Sequence, residues 1–235
     1  VIDPGEAEPV IKFLKNKSWH LDEVINTHHH HDHIGGNQDI IRQTGAKLLA
    51  HAEANDDIPD IDIGLSAGDT VSVGKLVNLE VLDTPGHTMS HVCLLSHTDQ
   101  PALFCGDTLF NAGAGHCKGG GHPESLYSTF NQQLSKLPDN TLIYPGHDYI
   151  ENNLNFTLDR EPDNEAALTL KTKIKGQNTN DPLVTTMELE KQINTFFRLN
   201  SETVRNQLAE KFPDLGDNPS DRDVFLKLRE LRNSW

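Results

Sequence analysis

Apolar positions along the first 150 residues recur with two different periods, and the alternation between them outlines a fold. EPVIKFLKN, residues 8–16, carries its apolar residues at helical spacing, after a Pro4-Gly5 turn and a VID segment that reads as the end of a strand. VINT predicts a strand that delivers the chain into a run of histidines. DIIRQT then predicts a short helix, capped by Asn37 and ended by Gly45, and KLLAHA a buried strand. Between 69 and 84, DTVSVGKLVNLEVLDT alternates on both sides of Gly74-Lys75, the pattern of a hairpin. HVCLLSH and ALFCGDTLF predict two more strands, SLYSTFNQQLSKL an amphipathic helix, and TLIYPGHD a strand that ends in a loop. Strands and helices interleaved in this way indicate an α/β (α+β) domain of sheets covered by helices over residues 1–147. Beyond residue 150 Asn, Glu, Lys and Leu dominate and no strand pattern is visible. Residues 148–235 therefore read as a mainly helical domain with loops at EPDN, GQNTNDP and FPDLGDNPS.

Composition narrows the picture. The chain has 235 residues and is 35% hydrophobic, and no apolar run approaches the roughly 20 residues that cross a bilayer; no membrane partner is expected. A formal charge of -15 argues against a nucleic-acid partner, whose binding depends on basic residues displacing counterions. Cys93, Cys105 and Cys117 match no zinc-binding spacing and read as reduced thiols, which points to a cytoplasmic protein. The chain opens on VIDPGE without Met, and residues are expected to precede it. The sequence leaves the oligomeric state open, and a monomer is compatible with it.

The chemistry is concentrated in THHHHDHIGG, residues 27–36. In an extended segment side chains alternate, so His28 and His30 point one way, able to share one metal ion, while His29 and His31 turn away. Asp32 and His33 come where the chain must turn into a helix and can address a second ion, the Gly35-Gly36 step permitting the tight backbone. Further ligands belong at the ends of later strands. TPGHT supplies His87, GDTLF supplies Asp107 and YPGHD supplies His147. The summed set is His28, His30 and His87 for one ion and Asp32, His33 and His147 for the other, with Asp107 able to bridge. Such ligands suit zinc, iron or manganese, with zinc the first choice of the three. Two divalent ions about 3.5–4 Å apart share a water and lower its pKa towards neutrality, which is hydrolytic chemistry.

THHHHDH matches the HxHxDH signature of the metallo-β-lactamase superfamily, and Asp3, His87, Asp107 and His147 fall where the other motif residues of that fold occur. Within it, THHHHDHIGGN, LDTPGHT, GDTLFNAGAG, YPGHDYIENNLNF and the helical tail resemble glyoxalase II, the hydroxyacylglutathione hydrolase family. That resemblance implies an αββα sandwich followed by a helical domain, and a binuclear site with Asp32 and Asp107 as catalytic carboxylates. It also implies hydrolysis of a glutathione thioester, S-D-lactoylglutathione, to D-lactate and glutathione.

The resemblance departs at the substrate side. Where that family carries a Lys and then a Tyr after the GDTLF motif, this sequence has His116 and Lys118, while Tyr149 keeps the Tyr that follows the last metal histidine. Arg198 resembles the glutathione-binding Arg of the tail, and the Lys expected shortly after it is replaced around Ser201. Lys118, His116, Tyr149 and Arg198 are thus the candidate substrate-binding residues. GHCKGGGHP reads as a substrate-facing loop rather than a third metal site, and His20, His51, His91 and His97 as ordinary surface or core histidines. The alternatives are a persulfide dioxygenase with one iron acting on glutathione persulfide, a binding protein that has kept the fold, and another hydrolase of the same superfamily, such as a β-lactamase.

Overall fold

The computed structural model describes residues 1–176 and 182–235. It arranges the chain as α1 (Ala7–Lys17), β1 (Glu23–Ile25), α2 (His31–Ile34), α3 (Asn37–Thr44), β2 (Lys47–His51), β3 (Ile63–Leu65), β4 (Thr70–Val73), β5 (Val77–Asp83), β6 (Val92–Ser96) and β7 (Ala102–Gly106). There follow β8 (Leu109–Phe110), β9 (Gly113–Ala114), α4 (Pro123–Gln132), β10 (Leu142–Pro145), α5 (Ile150–Arg160), α6 (Glu165–Ile174), β11 (Thr185–Thr186), α7 (Met187–Ile193), α8 (Glu202–Lys211) and α9 (Asp221–Arg232). One sheet has the order β1-β2-β3, all parallel, with Ile2 bridging to Ile25 at its edge. The other has the order β11-β10-β7-β6-β5-β4, antiparallel except for the β10-β7 pair.

Period-two alternation sorts the apolar side chains into layers. In β6, Val92 and Leu94 face the space between the sheets, where they meet Ile25, Leu49 and Val81. Cys93 and Leu95 face the opposite side, against Leu126, Phe130 and Phe225. In β2, Leu49 belongs to the intersheet layer while Leu48 and Ala50 pack on Ile11, Leu14 and Ile40 of α1 and α3. The result is helix, sheet, sheet, helix, the αββα sandwich that the resemblance implied. The outer helical layer is contributed by α4 and by the tail helices α8 and α9, so the tail shares its core with the six-stranded sheet. Helices α5, α6 and α7 form a smaller cluster around Ile150, Leu154, Leu170 and Ile193.

Several local expectations need correction. Asn37 is the first residue of α3 rather than its cap; its amide donates to Asn26 Oδ1 at 2.6 Å instead. ALFCGDTLF is two strands, because Gly106 takes φ +46 and turns the chain before Asp107. A two-residue strand, β11, lies beyond residue 150, too short to leave a periodic signal. Gly35 and Gly36 have ordinary helical φ values of -58 and -85. They are small because the backbone of the first turn passes over them: a Cβ would sit 2.6 Å from the Gly5 carbonyl oxygen at one and 2.6 Å from that of Pro4 at the other. Apart from its ends, the loop at GQNTNDP lies outside the described residues.

The shared core predicts that the tail is not dispensable for folding. Phe225 in α9 is fully buried among Tyr127, Phe130 and Phe196, with ring centroids 5.2–5.5 Å apart. Phe225→Ala is expected to destabilise the whole protein by about 3–5 kcal/mol in urea unfolding. A loss below about 1 kcal/mol would show that α9 is not part of the common core.

Candidate metal centre

The histidine run lies between β1 and α3, where the chain leaves the small sheet and makes a single helical turn. Asp3 sets its path. The Asp3 carboxylate accepts from Thr27 N at 2.7 Å and Thr27 Oγ1 at 2.6 Å, while Asn26 Nδ2 donates to the His33 carbonyl at 3.0 Å. The short helix α2 then places Asp32 and His33 beside the end of β7, where Asp107 sits, and the end of β10, where His147 sits. His87 arrives on the loop between β5 and β6.

The structure brings together all seven residues expected as ligands. His28, His30 and His87 form one cluster and Asp32, His33 and His147 another, each with its donor atoms within 4.8 Å of one another. In the first, His30 Nδ1 is 3.2 Å from His28 Nε2 and 2.9 Å from His87 Nε2. In the second, His147 Nε2 is 3.1 Å from His33 Nε2 and 3.0 Å from Asp32 Oδ2. Asp107 stands between them: Oδ2 is 3.7 Å from His87 Nε2 and 3.6 Å from His147 Nε2, and Oδ1 is 3.3 Å from His33 Nε2.

The outer ring nitrogens fix the tautomers. His87 Nδ1 lies 2.6 Å from the His116 carbonyl oxygen and His30 Nε2 lies 3.0 Å from that of Gly119. A carbonyl only accepts, so each of these nitrogens carries the proton and the inner one presents a lone pair. Thr27 Oγ1 donates to Asp3 and therefore accepts from His28 Nδ1 at 3.0 Å, which leaves His28 Nε2 bare as well. Three lone pairs thus converge, with His30 Nδ1 3.2 Å from His28 Nε2 and 2.9 Å from His87 Nε2. Nitrogens on a tetrahedral zinc at about 2.05 Å stand about 3.3 Å apart, so the spacing suits a shared cation.

Burial and charge agree with that demand. The Asp107 Oδ1 atom is buried without a hydrogen-bond partner, a costly arrangement unless a cation meets it. With protein groups alone around it, burial opposes a charge on His33, yet the Asp107 and Asp3 carboxylates outweigh this and raise its pKa to about 10. His87 goes the other way: burial outweighs the attraction of Asp107 and lowers it to about 4. These residues fit a divalent metal centre.

Of the remaining candidates, Tyr149 is exposed and its ring stacks on His147, centroids 5.2 Å apart. His116 is exposed, with its ring 4.9 Å from that of His87. Lys118 is exposed and its Nζ donates to the Asn233 carbonyl. The Arg198 guanidinium has another occupation: Nε and Nη2 donate to the two oxygens of buried Glu161 at 2.6 and 2.9 Å. His29 turns towards Asp57 and His31 to solvent, as alternation implied. His91 is core, as expected, but it lies directly against the site. Its ring stacks on His28 at 5.1 Å, and burial holds it neutral between Thr84 and Thr108. Sequence spacing offered no sign of that contact, nor of Arg229 and Glu190, buried charges of the tail that bond to the loop carrying His116.

An HxHxDH run completed by donor side chains from three later loops, set between two sheets flanked by helices, defines a protein of the metallo-β-lactamase class. The model of the metallo-beta-lactamase superfamily matches residues 1–147, and that of the hydroxyacylglutathione hydrolase C-terminus matches residues 148–235. The chain is 59% identical over 234 residues to the hydroxyacylglutathione hydrolase of Nitrosococcus oceani, covering 100% of this chain and 89% of the relative. It is 57% identical to that of a Polaromonas species, with the same coverage of 100% and 89%. The crystal structure of ETHE1 from Myxococcus xanthus superposes with a TM-score of 0.64 at 25% identity, covering 98% of this chain and 86% of that one. This chain belongs to the hydroxyacylglutathione hydrolase family.

The neutral histidines give the site a pH signature. His28, His87 and His91 are all lowered from 6.5, burial being the largest cause, and His87 reaches about 4. Groups held neutral in this way contribute stability that is complete above pH 6.5 and is lost as pH falls through the folded value. His33 has the opposite sign, contributing below 6.5 and losing its effect as pH rises through about 10, so it is constant across the acid window. Chelator-treated protein is therefore expected to lose unfolding free energy progressively from pH 6.5 to about 4. A flat profile over that window would contradict the assignment.

Proposed function

We propose that this chain hydrolyses 2-hydroxyacyl thioesters of glutathione, with S-D-lactoylglutathione the leading substrate, to the hydroxy acid and glutathione. The observation that carries the proposal is the pair of donor clusters with Asp107 between them, in a chain so close to hydroxyacylglutathione hydrolases. The donors suit two divalent ions, zinc ahead of iron or manganese. His28, His30 and His87 would hold one, Asp32, His33 and His147 the other, and Asp107 both. When bound, the ions supply a Lewis acid for the thioester carbonyl and bring the pKa of water towards neutrality.

The protein groups supply the rest. Asp32 lies on the open side with its carboxylate 60% exposed, beside His147 at 26%. Burial works against its ionisation, but its backbone amide and the His33 and His147 imidazoles together outweigh it and hold the carboxyl below the usual carboxylate range. At neutral pH Asp32 therefore accepts a proton or a cation and donates nothing. Tyr149 is the reverse: partial burial and the Asp107 and Asp32 charges raise its phenol, so it offers an O–H donor at the mouth. A thiolate with a solution pKa of about 8.5 leaves without strong acid assistance, which removes the need for a buried general acid. His116 and Lys118, on the loop that borders His30 and His87, are proposed to meet the polar ends of glutathione. Arg198 would join them only by exchanging Glu161 for a substrate carboxylate. Three free cysteines support a reducing, cytoplasmic setting. Among the described residues no helix is long and apolar enough to cross a membrane.

Metal-analysed protein is expected to hydrolyse S-D-lactoylglutathione rapidly and a thioester lacking glutathione slowly. Asp107→Ala should abolish turnover, because both clusters lose the carboxylate between them. Inertness of a sample with two ions per chain refutes the thioesterase reading. Oxygen uptake with glutathione persulfide by a one-iron sample would replace it with the dioxygenase alternative.

A further inference from the structure

Among the titratable groups outside the donor clusters, Arg229 is placed most unusually. It lies in α9 with 3% of its surface exposed, and no carboxylate among the described residues pairs with it. Its Nη1 donates to the carbonyl oxygens of Ala114 at 2.7 Å and Gly115 at 2.9 Å, Nη2 donates to Asn233 Oδ1, and Nε has no partner. A buried cation answered by carbonyls and by the Phe196 ring, 5.5 Å from its guanidinium carbon, with no carboxylate, is expensive, and the segment it grips explains where that expense is applied. Residues 111–115 are held one after another by side chains of the tail. Asn153 donates to the Asn111 carbonyl at 2.9 Å, Glu190 accepts from Ala112 N at 2.9 Å, and Asn194 donates to the Gly113 carbonyl at 3.0 Å. Arg229 takes the last two. Ala112 is kept at φ +57, a left-handed conformation that alanine adopts only under constraint.

The next carbonyl in line, that of His116, receives the Nδ1 proton of His87, and that of Gly119 receives the Nε2 proton of His30. Gly115 presses on the same ring, since a Cβ there would stand 3.0 Å from His87 Nδ1 and 1.9 Å from the Asp107 carbonyl oxygen. Lys118 of the loop reaches back to the Asn233 carbonyl just beyond α9. The second cluster has a different support: the outer nitrogen of His33 is held by Asp3 at 3.0 Å, at the other end of the chain. We infer that Arg229 is a positioning residue for one cluster only, fixing through loop 114–119 the orientation and tautomer of His87 and His30. The tail helix thereby sets the metal affinity of the His28, His30 and His87 cluster independently of the Asp32, His33 and His147 cluster. The inference rests on the two-cluster reading above.

The test is a metal competition against a chromogenic chelator, with zinc as the probe, on full-length protein with one cluster disabled. In a His147→Ala background, Arg229→Met is expected to weaken the remaining ion about 10–100-fold, the usual effect of removing support behind a ligand. In a His87→Ala background the same change should leave affinity within about threefold. Arg229→Lys, which keeps a cation near the two carbonyls, should recover most of the loss. Equal weakening in both backgrounds, or none in the first, overturns the inference and leaves Arg229 as a packing residue. If Arg229→Met does not fold, Arg229→Gln, which also removes the cation, carries the same comparison between backgrounds. A wild-type chain that binds a single ion sinks the two-cluster reading by itself. The Arg229 comparison on that ion then still decides this inference, unchanged affinity overturning it.

Discussion

The structure depends on one electrostatic demand: bare imidazole nitrogens and a buried carboxylate brought together with no protein proton to satisfy all of them. His28 Nε2, His30 Nδ1 and His87 Nε2 face one another because their outer nitrogens are already engaged by Thr27, Gly119 and His116. Lone pairs at this separation repel unless a cation lies among them, and a buried Asp107 oxygen without a partner makes the same requirement from the other side. The centre is costly to build and therefore has to be imposed by a scaffold whose own packing is strong.

The αββα core provides that scaffold. Strand β6 is buried on both faces and β7 on one, so Asp107 is carried to a fixed place at the end of a rigid element, and β10 does the same for His147. The histidine run hangs from the other sheet, located by Asp3 and Asn26. The two clusters thus form at the line where two independently built sheets meet, and small residues such as Gly106 and Gly146 are required there. A Cβ at Gly146 would stand 2.5 Å from Asp107 Oδ1, and one at Gly106 would stand 2.4 Å from Thr27 Oγ1.

The tail helices complete the arrangement from outside. They contribute the outer layer over the six-stranded sheet and send Asn153, Glu190, Asn194 and Arg229 to the backbone of one loop. That loop supplies the carbonyls behind two of the imidazoles. Tail and metal centre are therefore coupled by hydrogen bonds to main-chain groups, a kind of contact that leaves little trace in the identity of the residues contacted.

Much of this was readable in advance. The HxHxDH spacing, the strand-end positions of His87, Asp107 and His147, and the period-two strands on either side of them pick out the donor residues that the fold brings together and the layered fold itself, because both follow from local geometry: alternation along a strand and the turn at its end. The same local rules fail wherever a distant segment decides. Gly35 and Gly36 look like turn glycines but are small because residues 4–5 cross above them, and Asn37 gives up its capping role for Asn26. Arg198 looks like a free cation and is held by Glu161, thirty-seven residues away. Amino-acid order was enough to say which side chains could bind metal, since ligand chemistry belongs to the residues themselves. Which nitrogen of each histidine faces inward, and that the carbonyls behind His30 and His87 belong to a loop gripped by the tail, are properties of long-range packing, and only the folded chain decides them.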